Sequence, residues 1–298
     1  MTKVFLSLIV YYHGSNLVCT LASCARQKAC AWSMMIYQHS ESHVYHDWLI
    51  AIPARLGSER LPRKPLVDLG GLPLIVRVAQ NLASLVSQGA ALVVATDAIE
   101  VMDVCAQHGI EARITAAEHQ SGTDRCAEVG RAFDRTHILN VQGDEPFVAV
   151  AALESLMQAF AARPDADMAT LVSATNDLRL ASDPNAVKAV RARDGYALYF
   201  SRAPVPYDRT AQSLLAQGQA LTPPGPQFWH HMGVYAYRLS RLEDFVRLGP
   251  SPLEEIEKLE QLRALEAGWR IWLEPTAQSH RGIDTPSDLE AARARFRP

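Results

Sequence analysis

The sequence predicts an α/β fold on a largely parallel sheet, with an antiparallel β excursion in its second half. Two patterns carry this reading. From Trp48 to about Ala166, short apolar runs alternate with segments of helical period. Such alternation implies parallel strands joined by right-handed crossovers. Beyond Ala166, two β-rich runs flank the turn pair Asp194-Gly195, a hairpin signature.

The elements follow in order. "WLIAIP" (48–53) reads as a buried strand. Residues 73–86 carry Ile75, Val78, Leu82 and Leu85 at helical spacing. "ALVVAT" (91–96) is a second strand, 98–109 a helix closed by Gly109, and "IEARIT" (110–115) a strand. A helix over 122–134, the strand "HILNVQ" (137–142) and a helix over 150–163, stopped by Pro164, complete the alternating part. The runs 186–192 and 196–201, the Pro/Gly-rich loop "LTPPGPQ" (221–227) and the β run "HHMGVYAYR" (230–238) form the excursion. This flap of about 185–238 is suited to covering a site or joining two copies. One helix is expected over 251–268, with Ser251 as N-cap, Pro252 at N1 and Glu254 at the capping-box position. The last begins at Thr285 and Pro286.

The chain of 298 residues is 48% hydrophobic, enough to bury a full core. A net charge of -3 argues against a nucleic-acid or membrane-surface partner. No apolar run reaches the roughly 18 residues of a membrane span. Five cysteines contain no C-x-x-C pair, so zinc and dithiol chemistry are not indicated, and the body reads as reduced and cytoplasmic. Residues 1–46 differ from the rest and have no clear period. They are set aside as a non-native or disordered extension, with Met34 and Met35 as later starts. Residues 47–298 are taken as a single domain.

Ligands of open parallel sheets bind beyond the carboxyl ends of the strands. After the first strand comes "IPARLGSERLPRKPL", with Arg55, Arg60, Arg63 and Lys64 against one acid, Glu59. Arg and Lys suit phosphate oxygens, while Gly57 and Ser58 allow close backbone approach. A solvated basic turn is the alternative. After the "HILNV" strand come Gln142, Gly143, Asp144 and Glu145. A carboxylate facing cations and phosphates would hold Mg²⁺, and Asp284 would be a second ligand if it folds to the same edge. The alternatives are a turn aspartate and a charge favoured by a helix dipole. Ser121 and Gly122 precede a helix start that could meet an anion or a base edge, or simply cap it. His231 and Tyr235 share a strand face. Glu260 and Gln261 lie on a helix among apolar neighbours.

Taken together, "IPARLGSERLPRKPL", "VVATD", "HQSGTDRCAEV", "NVQGDEP", "GYALYFSRAPVPYDR", "HHMGVYAYR", "SPLEEIEKLEQLRALEAG" and "GIDTPSDLEAARA" resemble the 3-deoxy-manno-octulosonate cytidylyltransferase (CMP-Kdo synthetase) family. The resemblance runs from Trp48 to the C-terminus in motif order. It implies a GT-A-like, Rossmann-type nucleotidyltransferase with a β extension used for dimerisation. It further implies transfer of CMP from CTP to Kdo with Mg²⁺, for lipopolysaccharide synthesis, by a cytoplasmic homodimer. On this resemblance Arg55, Ser58, Arg60, Lys64, Ser121 and Gly122 bind CTP. Asp144 and Asp284 ligate magnesium and, with Lys64 and Arg60, form the catalytic set. Arg125, Gln142, His231, Tyr235, Glu260 and Gln261 line the Kdo pocket. One departure is Arg63, where the family usually has glycine. Transfer to another acidic sugar (8-amino-Kdo or a sialic acid) and an inactive nucleotide-binding module on the same fold remain as alternatives. The D-x-D pair usual in a GT-A glycosyltransferase is absent; "GDE" stands there.

Overall fold

Alternate residues of β1 (Trp48–Pro53) enter different cores: Ile50 and Ile52 one, Leu49 and Ala51 the other. A strand buried on both faces must read as a continuous apolar run, and "WLIAIP" does. The computed structural model describes residues 44–58, 60–209, 228–278 and 282–296.

The remaining strands are β2 (Ala91–Thr96), β3 (Ala112–Ile114), β4 (His137–Asn140), β5 (Met168–Thr175), β6 (Lys188–Arg191), β7 (Ala197–Ser201), β8 (Phe228–Arg238) and β9 (Ile271–Thr276). Their order is β3-β2-β1-β4-β8-β5-β9, with β6 pairing both β7 and β8. The β1–β2, β1–β4, β2–β3 and β5–β9 pairs are parallel. β8 runs antiparallel to β4, β5 and β6. This mixed but mainly parallel sheet matches the expected fold class.

The helices are α1 (Leu74–Asn81), α2 (Ala83–Ser87), α3 (Ile99–Gln107), α4 (Gly122–Gly130), α5 (Val150–Ala161), α6 (Leu178–Ser182), α7 (Leu239–Leu248), α8 (Pro252–Glu257), α9 (Gln261–Glu266) and α10 (Pro286–Arg293). Residues of α1, α3 and α5 bury into the core holding Ile50, and those of α4, α7 and α9 into the core holding Leu49. No helix among the described residues is long and apolar enough to cross a membrane.

Four sequence expectations need correction. The run 230–238 was grouped with a surface flap, but β8 is central in the sheet, with Val234, Ala236 and Tyr237 fully buried. Its local hairpin neighbours misled, because antiparallel pairing alone does not say on which side of a sheet a strand lies. The helix expected over 73–86 is interrupted at Leu82 (φ -93°, ψ 1°), with Leu82 and Leu85 both fully buried. The helix expected over 251–268 is two, α8 and α9, separated at Lys258, whose φ of 53° is left-handed. Tyr45, ahead of the expected domain start, is buried and accepts a 3.3 Å bond from Gln158 at its hydroxyl. The loop 221–227, Glu59 and the segment 1–43 lie outside the described residues.

Candidate active site

Two cavities open at the carboxyl edge of the sheet and share Arg60, Gly122, Gln142, Asp144 and Asp284. One, of about 850 Å³, lies over the loop that follows β1 and includes Arg55, Ser58, Lys64 and Ser121. The other, of about 490 Å³, is walled by His231, Tyr235, Glu260 and Gln261.

Backbone packing brings the two aspartates together. A Cβ on Gly143 would lie 2.7 Å from the Pro53 carbonyl, so only glycine lets the chain leaving β4 pass so close to the end of β1. The Ile283 N–H donates to the Asp144 carbonyl at 2.9 Å, which docks the segment before α10 onto that turn. Thr285 then starts α10 with a capping box to Asp288.

At the junction, Lys64 Nζ donates to Asp144 Oδ2 at 2.5 Å and to Asp284 Oδ1 at 2.7 Å. Arg60 pairs with Asp284 Oδ2 at 3.2 Å. Burial disfavours the Lys64 ammonium, but the charges and hydrogen bonds of Asp144 and Asp284 outweigh it and hold its pKa above the ordinary lysine value. Among the described residues no group of three or more His, Cys, Asp or Glu converges as a metal site. Two converging carboxylates nevertheless fit Mg²⁺, which commonly takes one or two carboxylates and completes its shell with water and substrate phosphates.

One wall of the smaller cavity carries buried polar groups, among them His231, Tyr235 and Gln261. The Thr170 hydroxyl lies 2.7 Å from the Val234 carbonyl, 3.1 Å from that of Met232 and 2.9 Å from His231 Nε2. A hydroxyl has one proton. With that proton on the shorter carbonyl bond, His231 Nε2 is the donor to the Thr170 oxygen. Thr170 sits where the β5–β8 register jumps: Thr170 faces Tyr235 and Leu171 faces Met232. Two residues are inserted rather than one, so side-chain parity is kept and His231 and Tyr235 stay on one face, 5.6 Å apart between ring centroids. Burial, reinforced by His230, pushes the His231 pKa down to about 3. Burial, with Glu260 adding to it, drives the Tyr235 hydroxyl well up. Tyr235 donates to Gln261 Oε1 at 3.2 Å, while Gln261 Nε2 is buried with no hydrogen-bond partner among the described residues. Burial also raises the Glu260 pKa, against a 2.5 Å bond from Thr123 and the charge of Arg263.

The structure therefore gathers thirteen of the fourteen expected site residues as the sequence grouped them, six at the loop cavity, five at the buried cavity and two at the junction. Arg125 is the exception. It was expected at the sugar pocket but lines the loop cavity. Its guanidinium is turned that way by Asp97 (2.7 Å), the Thr115 hydroxyl (2.7 Å) and the Ala116 carbonyl (3.0 Å). Ser121 is an N-cap: its hydroxyl accepts from Asp124 N, and its own N–H goes to Asp124 in return. Its hydroxyl accepts that bond and keeps its proton to donate, while Gly122 supplies the close approach, a Cβ there lying 2.9 Å from the Pro53 ring. Arg63 takes a left-handed φ of 57° and pairs with Glu100, both exposed, so a glycine-type position carries an arginine.

Sequence reasoning missed Thr123 and Asn140. Gln142 donates to Asn140 Oδ1 (3.1 Å), Asn140 to the Thr123 hydroxyl (3.3 Å), and Thr123 to Glu260. The signal was an asparagine inside the otherwise apolar strand "HILNV", because a fully buried amide needs partners.

Residues 49–271 match the cytidylyltransferase family. The 3-deoxy-manno-octulosonate cytidylyltransferase of Leptothrix cholodnii is 46% identical over 256 residues, 84% of this chain and 92% of its own. That of Methylococcus capsulatus is 45% identical over 251 residues, 83% of this chain and 96% of its own. That of Polynucleobacter asymbioticus is 41% identical over 251 residues, 83% and 94% of the two chains. A solved CMP:2-keto-3-deoxy-manno-octonic acid synthetase complexed with CTP superposes with a TM-score of 0.75 at 37% identity, covering 84% of this chain and 98% of that one.

Proposed function

This chain belongs to the 3-deoxy-manno-octulosonate cytidylyltransferase family, and from that premise we propose how its joined cavities work. It transfers CMP from CTP to Kdo, releasing pyrophosphate. The observation that carries the mechanism is the Asp144–Lys64–Asp284 cluster where the two cavities meet.

CTP takes the larger cavity, its triphosphate among Arg55, Arg60 and Lys64. Charge-assisted contacts suit this anion. Kdo takes the buried cavity, where Tyr235, Gln261 and Glu260 offer hydrogen bonds to its hydroxyls. The unpartnered Gln261 Nε2 is a donor waiting for an acceptor. His231 is neutral across the working pH range, so it orients the sugar by hydrogen bonding rather than by charge.

The anomeric hydroxyl of Kdo attacks the α-phosphorus of CTP. A new O–P bond forms, the bond to the pyrophosphate oxygen breaks in line, and the hydroxyl proton leaves to solvent. Positioning and charge stabilisation carry such a step. Asp144 and Asp284 would hold the divalent cation. Bound there, Mg²⁺ supplies neutralising charge at the phosphate and acidity to the attacking hydroxyl. Lys64 and Arg60, which now neutralise the aspartates, turn to the phosphates and balance charge on the leaving pyrophosphate.

The β6–β7 extension, where Leu198 is 63% exposed, is the surface that would pair two copies. A reaction that draws on CTP and a free sugar acid would run in the cytoplasm. Pyrophosphate release tests the reading, with CTP, GTP, UTP and ATP crossed against Kdo, 8-amino-Kdo and sialic acid. Turnover concentrated on CTP with Kdo is expected. Turnover with another sugar acid would reassign the substrate, and CTP binding without any turnover would make the chain a binding module.

A further inference from the structure

Part of the wall of the smaller cavity comes from two segments far apart in sequence. Asn185 and Val187 lead into β6, and Lys258 to Gln261 span the break between α8 and α9. One side chain holds both. Arg202, at the end of β7, donates from Nε to the Glu257 carbonyl (2.6 Å), from one terminal nitrogen to the Lys258 carbonyl (3.2 Å) and from the other to the Pro184 carbonyl (2.9 Å). Its backbone N–H goes to the Glu257 carboxylate at 2.9 Å, and the Ser201 hydroxyl goes to the other oxygen at 2.6 Å. A second cation fixes the same unit from beneath. Buried Lys188 donates to the carbonyls of Asp183 (2.8 Å), Ala186 (2.6 Å) and Arg202 itself (2.6 Å).

This clamp sits where the chain does something costly. Lys258 is left-handed at φ 53° although it is not glycine, a conformation that ordinarily needs support from its surroundings. The last carbonyls of a helix also need donors from elsewhere. The Arg202 fork meets both needs at once. The break it stabilises lets Glu260 and Gln261 face the cavity instead of continuing the line of α8. The Val187 carbonyl, on the segment that Lys188 and Arg202 secure, accepts the His231 N–H at 2.8 Å. The clamp is thus coupled to β8 as well.

We propose that Arg202 is a positioning residue for the sugar acid: its fork holds the left-handed turn at Lys258 and so sets the placement of Glu260 and Gln261. Arg202 lines neither of the two cavities, so it acts through the residues it holds. The inference rests on the assignment of Kdo to the smaller cavity, and the tests keep the two apart: an exchanged assignment would appear as a Lys64→Ala effect confined to Kdo, and absence of the activity as an unreactive wild-type protein.

The experiment is a double-mutant cycle in pyrophosphate release. Arg202→Lys keeps the charge but loses the planar fork. It should raise the KM for Kdo about tenfold and leave the KM for CTP within about twofold. Glycine adopts positive φ without strain, so in a Lys258→Gly background Arg202→Lys should raise the Kdo KM no more than about threefold. An equal effect in both backgrounds, or parallel rises in both KM values, would overturn the proposal. Should Arg202→Lys not fold, Glu257→Gln removes the carboxylate that receives Ser201 and the Arg202 N–H. A rise of about threefold in Kdo KM alone supports the clamp, and an unchanged KM overturns it.

Discussion

The loop after β1 and the wall built from β8 and α9 face one junction, yet they are made of different materials. In the loop, Arg55 and Arg60 are exposed, and Lys64 is held by ionic bonds to Asp144 and Asp284. In the wall, His231, Tyr235 and Gln261 are buried and joined by uncharged hydrogen bonds. A triphosphate carries enough charge to be captured by long side chains, without fixed geometry. A sugar acid must be told from its relatives by hydroxyl positions. That requires buried groups whose own orientation is set, and the wall therefore needs a supporting layer that the loop does not.

The contrast can be broken most severely at the junction. Chelating divalent cations should lower pyrophosphate release by about a thousandfold or more, the scale of Lewis-acid assistance, with Mg²⁺ restoring it. Unchanged release in chelator would remove the metal from the account. Next in size is Lys64→Ala. Loss of a charge-assisted bond is worth about 10- to 100-fold, and it should appear in the KM for CTP, with the KM for Kdo within about threefold. An effect confined to Kdo would reverse the assignment of the two cavities.

The wall predicts a pH effect that the loop does not. The His231 pKa falls from 6.5 to about 3 on folding. Its folded value is below its unfolded one, so its share of stability is complete above pH 6.5 and is lost as pH drops toward 3. Between pH 7 and about pH 5, the urea midpoint of the wild type should fall more than that of His231→Asn. Parallel curves would show that His231 is not buried as a neutral ring.

How much of this contrast the sequence showed depends on the reach of the interactions. The loop was readable because its cations are adjacent in sequence and follow a single apolar strand. The wall was only partly readable. Arg125 lies on the loop cavity because its direction is set by Asp97 and Thr115, on the segments after β2 and β3. The stretch 251–268 keeps helical character throughout, so nothing local announces the break at Lys258; a donor from Arg202 supports it across 56 residues. β8 was put in a flap because strand order in a sheet is a long-range property. Arg63 was noticed as an oddity, and its φ of 57° now explains why glycine is usual there.

That position offers the smallest test. A left-handed non-glycine residue costs about 1–2 kcal/mol, part of which glycine returns through about 0.5–1 kcal/mol of extra chain entropy. The exposed pair with Glu100 contributes roughly 0–1 kcal/mol. Arg63→Gly should therefore shift Tm by no more than about 3 °C in either direction, with the CTP KM within about twofold. A large loss of CTP affinity would mean that Arg63 belongs to the phosphate-binding set.

The most direct test of the central claim, that transfer occurs where the cavities meet at the aspartate pair, is turnover of Asp144→Asn with both substrates saturating. The substitution keeps size and removes charge. The account predicts a folded protein, matching the wild type by circular dichroism, whose pyrophosphate release is at least about a hundredfold slower, in line with losing one electrostatic group at the reacting phosphate. Near-normal turnover in that folded variant would contradict it.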